Sequence, residues 1–116
     1  MDGKVLNLYK KLGETSRQRL ERLREEKRAY ATEVLSYAGR LEPMAEGVLL
    51  ALVGKENKKR DAYLDMSKEY VVDILFGFAT DSYDILGKVT KEGGPSEVHK
   101  SRVEKELNEF RGIISQ

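Results

Sequence analysis

The stretch Ser36-Tyr37-Ala38-Gly39-Arg40-Leu41-Glu42-Pro43-Met44-Ala45-Glu46-Gly47 places a carboxylate directly before a proline, with a glycine close by on either side. No other stretch of the chain limits the backbone as much. Proline disfavours the helical region for the residue before it, so Glu42 is expected to be extended or in a turn. Proline is also at home as the first residue of a helix, where its missing N–H costs nothing. The simplest reading puts Glu42 at a helix N-terminus, facing unpaired N–H groups and the positive end of the dipole. Such a carboxylate stays ionised at neutral pH and suits a nucleophile or base better than a proton donor. Taken alone, a solvated loop carboxylate is the plainer account of Glu42.

Composition excludes several chemistries. With 116 residues and 40% apolar content, the chain suits one domain with a modest core. It carries 21 basic against 20 acidic residues, a net charge near +1, so RNA binding would need a local basic patch. No cysteine is present, which removes disulfides and thiolate metal sites and fits a reducing cytoplasm. A single histidine, His99, argues against a His-based zinc site and a Ser-His-Asp apparatus. The apolar run from Val48 to Val53 is too short to span a bilayer, and Met1-Asp2-Gly3-Lys4 does not begin a secretory signal. No membrane span is expected.

Along the chain, Val5-Leu6-Asn7-Leu8-Tyr9 reads as a strand closed by a turn at Gly13. Thr15-x-x-Gln18 reads as a capping box for a helix to about Arg28, with Leu20 and Leu23 as its apolar stripe. Arginines 17, 19, 22, 24 and 28 alternate with Glu21, Glu25 and Glu26, the pattern of a solvated helix, with an RNA-facing role for the arginines as the less favoured alternative. A short helical turn through Gly47 and then a strand are expected, with Asn57 capping a helix that carries Tyr63 and Leu64. The basic run Lys55-Glu56-Asn57-Lys58-Lys59-Arg60 is either a phosphate contact or a wet helix end.

Lys68 to Phe76 alternates as a strand, with Tyr70, Val72, Ile74 and Phe76 on one face. Thr80-Asp81-Ser82-Tyr83-Asp84-x-x-Gly87 has the residues of a turn, and turn-forming aspartates explain it better than a magnesium site. Lys88-Val89-Thr90 is expected to return as a strand beside Lys68–Phe76. After the loop Lys91-Glu92-Gly93-Gly94-Pro95, a helix carries Val103, Leu107 and Phe110, capped by Ser101-x-x-Glu104 or by Ser96.

Several of these words resemble one family. Gly39-x-Leu41-Glu42-Pro43-x-Ala45-x-Gly47-x-Leu49 is similar to the G-x-L-D-P-x-A-x-G-x-L signature of the TruB family, the pseudouridine synthases that act on the T-loop uridine of tRNA. Glu42 stands where that family has its catalytic aspartate. The segment Leu6 to Ser16 resembles the family's opening strand and K-P-x-G-x-T-S loop, with Lys11 in place of proline; the strand is expected to survive that change, the rigid turn is not. Lys58 matches a family lysine, Lys68-x-Tyr70 its K-x-Y motif, Thr80–Gly87 its T-D-T-x-D-x-x-G, and Phe110-Arg111-Gly112-x-Ile114-x-Gln116 its F-x-G-x-I-x-Q.

The resemblance implies a partial pseudouridine-synthase catalytic fold of mixed α+β or α/β class, a mixed sheet with flanking helices. Residues 1–116 would be the N-terminal portion of that catalytic domain. The family's second half, with the arginine that pairs with the catalytic carboxylate, and its C-terminal RNA-binding module would be absent. It implies Glu42 as nucleophile, Tyr70 as the platform that stacks on the target base, and Lys58 as a phosphate or support contact. Tyr37 stands where the family often has a histidine that fills the gap left by the flipped nucleotide. Gly39, Arg40, Leu41, Pro43, Gly47, Asp81 and Asp84 would support the motifs. The implied partner is the T-arm of tRNA, and the reaction needs no cofactor. One added methylene at Glu42 shifts the carboxylate by an ångström or so, enough to cost on the order of a hundredfold in rate. An RNA-binding remnant without turnover and a small α/β domain with other partners are the alternatives. An uncovered sheet edge would also favour self-association.

Overall fold

In the computed structural model, seven residues of β1 (Lys4–Lys10) and seven of β3 (Gly47–Val53) lie antiparallel, with β2 (Leu35–Ala38) on the other side of β3. The sheet order is therefore β1-β3-β2. The structure describes residues 2–94 and 98–115. The chain divides into two units, Met1–Glu69 and Tyr70–Gln116, each described by itself.

The first unit owns the core. Leu49, Ala51 and Val53 share one face of β3 because side chains alternate across a strand. Their cross-strand neighbours Leu8 and Leu6 on β1 pair with Leu49 and Ala51. Helix α1 (Ser16–Glu26) covers this face with Leu20 and Leu23, and Tyr30 from a 3-10 turn (Arg28–Tyr30) completes it. Leu41 and Tyr37 pack against the same cluster. A second 3-10 turn (Gly54–Lys59) and the short helix α2 (Arg60–Leu64) follow β3.

The capping box is present in full: Thr15 Oγ1 accepts from the Gln18 N–H at 3.0 Å and Gln18 Oε1 accepts from the Thr15 N–H at 2.9 Å. The helix stops at Glu26, short of Arg28, because Lys27 turns to extended backbone at φ −136°. Not all its arginines are solvated. Arg19 is 7% exposed and donates through Nε to the Tyr9 carbonyl at 2.7 Å. Its Nη1 stands 3.6 Å from a Glu26 oxygen, an ion pair rather than a hydrogen bond. Asn57 does not cap α2, whose N-cap is Lys59. It is used on the strand side instead, where its Nδ2 donates to the Val34 and Gly54 carbonyls and its Oδ1 accepts from Ser36.

The second unit contains β4 (Phe78–Thr80), antiparallel to β5 (Val89–Glu92), and α3 (Lys100–Asn108). Residues 68–75 are not a strand, against the alternation that marks them as one. A strand exists through its ladder, and this segment finds no partner among the described residues. The returning strand β5 pairs instead with β4. Helix α3 starts at Lys100 with His99 as an N-cap that makes no side-chain bond, so Ser101 lies inside the helix and is not its cap. Phe110 falls beyond its end; Pro95, Ser96 and Gln116 lie outside the described residues. The turn between β4 and β5 is closed by its aspartates: Asp81 Oδ1 accepts from the Lys88 N–H at 2.8 Å, and Asp84 Oδ1 from the Leu86 N–H at 2.9 Å and Ser82 Oγ at 2.7 Å. These bonds, the Ser82 hydroxyl first, hold the Asp84 carboxyl below its ordinary range. A Cβ on Gly87 would stand 2.9 Å from the Ser82 backbone nitrogen, so a side chain there would force the turn to shift.

The α+β class is borne out, and every strand pairing among the described residues is antiparallel.

Candidate active site

Glu42 lies in the loop that joins β2 to β3. The Ala45 N–H donates to the Glu42 carbonyl at 2.9 Å, which closes a β-turn with Pro43 at its second position, where its fixed φ is preferred. The helix start and the helical turn expected here are not formed. Neighbouring antiparallel strands require the chain to reverse between Ala38 and Gly47, so a turn closes where a helix would carry the chain onward. Gly39, at φ +80°, makes the first bend out of β2 in a conformation that favours glycine.

Three bonds, two made by Ser16 at the start of α1 and one by Gly13 in the loop before it, hold the backbone on either side of Glu42. Ser16 Oγ donates to the Leu41 carbonyl at 3.0 Å and accepts from the Leu41 N–H at 3.3 Å. The Gly13 N–H donates to the Pro43 carbonyl at 2.6 Å. Leu41 itself packs on the core, so the residues flanking Glu42 are fixed while its side chain is exposed. Among the described residues no group bonds or pairs with the Glu42 carboxylate. Beyond the turn, the Tyr9 hydroxyl donates to the Glu46 carboxylate. That bond raises the Tyr9 hydroxyl above its ordinary pKa.

The clamping loop has its own supports. Lys10 is fully buried, and its ammonium donates to the carbonyls of Lys11, at 2.9 Å, and Glu14. The Lys11 N–H, which a proline would lack, donates to Glu14 Oε2 at 2.9 Å, and the Glu14 N–H returns to the Lys11 carbonyl at 3.2 Å. These two bonds close the turn from Lys11 to Glu14 in this chain. Arg22 grips Glu14 through Nε at 2.8 Å and Nη2 at 3.2 Å, and also reaches Glu26 at 2.7 Å. The hydrogen-bonded guanidinium holds the Glu14 carboxyl down to about 2 and pushes the Arg22 pKa up.

The remaining candidates separate. Gly39, Arg40, Leu41, Glu42, Pro43 and Gly47 share the loop and its ends. Tyr37 is half-buried on β2, opposite Ala51, with the Arg60 guanidinium 6.0 Å from its ring centre. Lys68 passes over the entrance to the loop, its Cε 4.0 Å from where a Cβ on Gly39 would stand. Its ammonium donates to the Leu64 and Met66 carbonyls at 2.9 and 3.0 Å. Lys58 is not beside Glu42: the 3-10 turn that carries it leaves the opposite end of β3, about 20 Å along the strand from Gly47. It is exposed there. Tyr70, 63% exposed, opens the second unit and lies on irregular backbone rather than a strand; Asp81 and Asp84 form the turn described above.

Ser16, Gly13 and Lys10 were not singled out by residue type alone. The signal for them was the Lys10-x-x-Gly13-x-Thr15-Ser16 wording, whose role becomes visible once the loop is seen against Leu41 and Pro43.

Among the described residues no three histidine, aspartate or glutamate side chains are gathered as a metal site, and no helix is long and apolar enough to cross a membrane.

Residues 27–116 match the family described as TruB family pseudouridylate synthase (N terminal domain). The tRNA pseudouridine synthase B of Aquifex aeolicus (strain VF5) is 37% identical over 118 residues, covering 100% of this chain and 39% of the relative. That of Clostridium perfringens (strain 13 / Type A) is 34% identical over 97% of this chain and 37% of its own length. That of Fusobacterium nucleatum subsp. nucleatum is 38% identical over 81% of this chain and 32% of the relative. The chain therefore spans less than two-fifths of the length of these relatives.

Proposed function

Since this chain belongs to the TruB family of pseudouridylate synthases, we propose that it serves the isomerisation of uridine to pseudouridine in the T-loop of tRNA, as the N-terminal portion of such a catalytic domain. One observation carries the reading: Glu42 presents an exposed carboxylate from a turn clamped on both sides, at Leu41 and at Pro43. A fixed backbone beneath a free carboxylate limits the geometries from which it can attack, and that restriction is a source of rate.

The target uridine first leaves the stack, at a cost of roughly a few kcal/mol. Glu42 then adds as nucleophile, either to the anomeric carbon of the sugar or to the base. By either route the bond from the sugar C1′ to N1 breaks, the base turns, a bond from C1′ to C5 forms, and the bond to Glu42 breaks again to return its free carboxylate. The C5 proton is lost and N1 gains one, so no electrons enter or leave. Tyr70 stacks on the base, Tyr37 fills the place the base has left, and Lys58 meets RNA phosphate at a distance from the nucleophile. A cytoplasmic location suits a tRNA substrate and a chain without cysteine.

A second reading is favoured by the Glu42 environment itself. The carboxylate has no cationic partner among the described residues to balance its charge, which favours an RNA-binding role without turnover over catalysis by the chain alone. Tritium release from 5-tritiated uridine in a T-arm RNA separates the two. Release that is lost in Glu42→Gln supports catalysis, whereas salt-dependent binding without release selects the binding role.

A further inference from the structure

Between α1, β2 and α2 in the first unit lies a cleft of about 340 Å3 whose lining includes Arg17, Glu21, Arg24, Ser36, Tyr37 and Arg60. Three guanidiniums face one carboxylate, in a chain whose total charge is only +1. The three are not equivalent. Arg24 is committed, donating through Nη1 to the carbonyls of Tyr30, Ala31 and Glu33 at 3.0–3.2 Å. Arg17 and Arg60 have no hydrogen bond or ion pair among the described residues, and both are exposed. Arg60 is held only by its approach to the Tyr37 ring. Arg19, Arg22 and Arg24 each find a carboxylate or a carbonyl, whereas Arg17 and Arg60, like Arg28 and Arg40 outside the cleft, find none among the described residues. Two uncommitted guanidiniums at one concavity form a local basic patch that the overall composition conceals.

We propose that this cleft binds a backbone phosphate of the RNA, with Arg17 and Arg60 as its cationic contacts and Tyr37 beside them. Guanidinium forks match phosphate oxygens in pairs, and a cation already near an aromatic face loses less freedom on binding. Neither Glu42 nor Lys58 lines this cleft. The inference rests on the RNA-binding reading above, and its test is arranged so that the two fail differently.

The measurement is the affinity of the 116-residue chain for a T-arm stem-loop RNA, by fluorescence anisotropy across a salt series. Wild type is compared with Arg17→Ala, Arg60→Ala, the double variant, and Lys27→Ala, an exposed lysine at the end of α1 that does not line the cleft. Each phosphate contact removed lowers the slope of log affinity against log salt by about 0.7. The expected result is a loss of that size for each arginine, roughly twice that for the double variant, and little change for Lys27→Ala. Arg60→Lys is expected to fall between, since it keeps the charge without the fork. Unchanged slopes in both arginine variants, with thermal transitions like wild type, overturn the cleft while leaving RNA binding standing. Failure of the wild-type chain to bind RNA overturns both. Arginine-dependent capture of a polyglutamate peptide in place of RNA assigns the cleft to an acidic protein partner and overturns the proposal.

Discussion

Ser16 and Leu41 are twenty-five residues apart, and one hydroxyl satisfies both backbone groups of the leucine, accepting from its N–H and donating to its carbonyl. The pair joins the first turn of α1 to the residue immediately before Glu42. It is a side-chain substitute for a strand ladder, placed where the chain must turn and no strand can follow.

Removing that hydroxyl in Ser16→Ala leaves two partly buried backbone groups without a partner. A loss of about 1–2 kcal/mol is expected, from the general cost of unsatisfied groups. Hydrogen exchange adds the local readout: the Leu41 amide is expected to lose more protection than amides in the centre of β3. Equal loss at both places would mean that Ser16 supports the whole unit and not the loop.

The Glu14–Arg22 pair sets an acid limit. Glu14 titrates at about 2 in the folded chain against an ordinary value of 4.5. Between those values the unfolded chain binds more protons, so stability rises with pH across that window. The contribution of the pair is fully present above about 4.5 and is lost as pH falls toward 2. Glu14→Gln is expected to flatten this dependence. Urea midpoints at several pH values between 2 and 6 check it, and an unchanged slope in the variant would remove the pair as its cause.

Glu42→Asp is expected to raise turnover only when the chain is joined to a homologous second half. Shortening the side chain restores the reach of the family's aspartate, but a carboxylate without a cationic partner still lacks charge balance and positioning. Tritium release is measured for Glu42 and its aspartate variant, each in this chain and in the extended one. Full activity of the short aspartate form would show that no further partner is needed.

Self-association is the expected behaviour of the isolated chain. Val71 is 96% exposed, Ile74, Leu75 and Phe76 are exposed with it, and no described residue of the second unit is buried. In the first unit β1 and β2 are the outer strands of the sheet, and unpaired edges invite other chains. Sedimentation and thermal unfolding over a range of concentrations are expected to show association or a broad transition. Val71→Asp with Ile74→Lys is expected to reduce it. A sharp, concentration-independent transition of a monomer would contradict this.

What could be read from the sequence was what neighbouring residues settle among themselves. Thr15 and Gln18 cap α1 because both partners of the box lie within one turn. Asp81 and Asp84 close their own turn for the same reason, and β1 and β3 follow from β-prone runs with an apolar face. Tertiary structure decided what depends on distant partners. Tyr70 to Leu75 alternates like a strand yet makes none, since no ladder partner lies beside it. Glu42 sits in a turn and not at a helix start because β2 and β3 pair with each other. Asn57 abandons its cap for Val34 and Ser36, and Arg19 leaves the solvated face of its helix for the Tyr9 carbonyl. A local hydrogen bond needs only a short spacing, which the letters carry. A non-local one needs two segments brought together by the packing of the sheet, and no single segment contains that information.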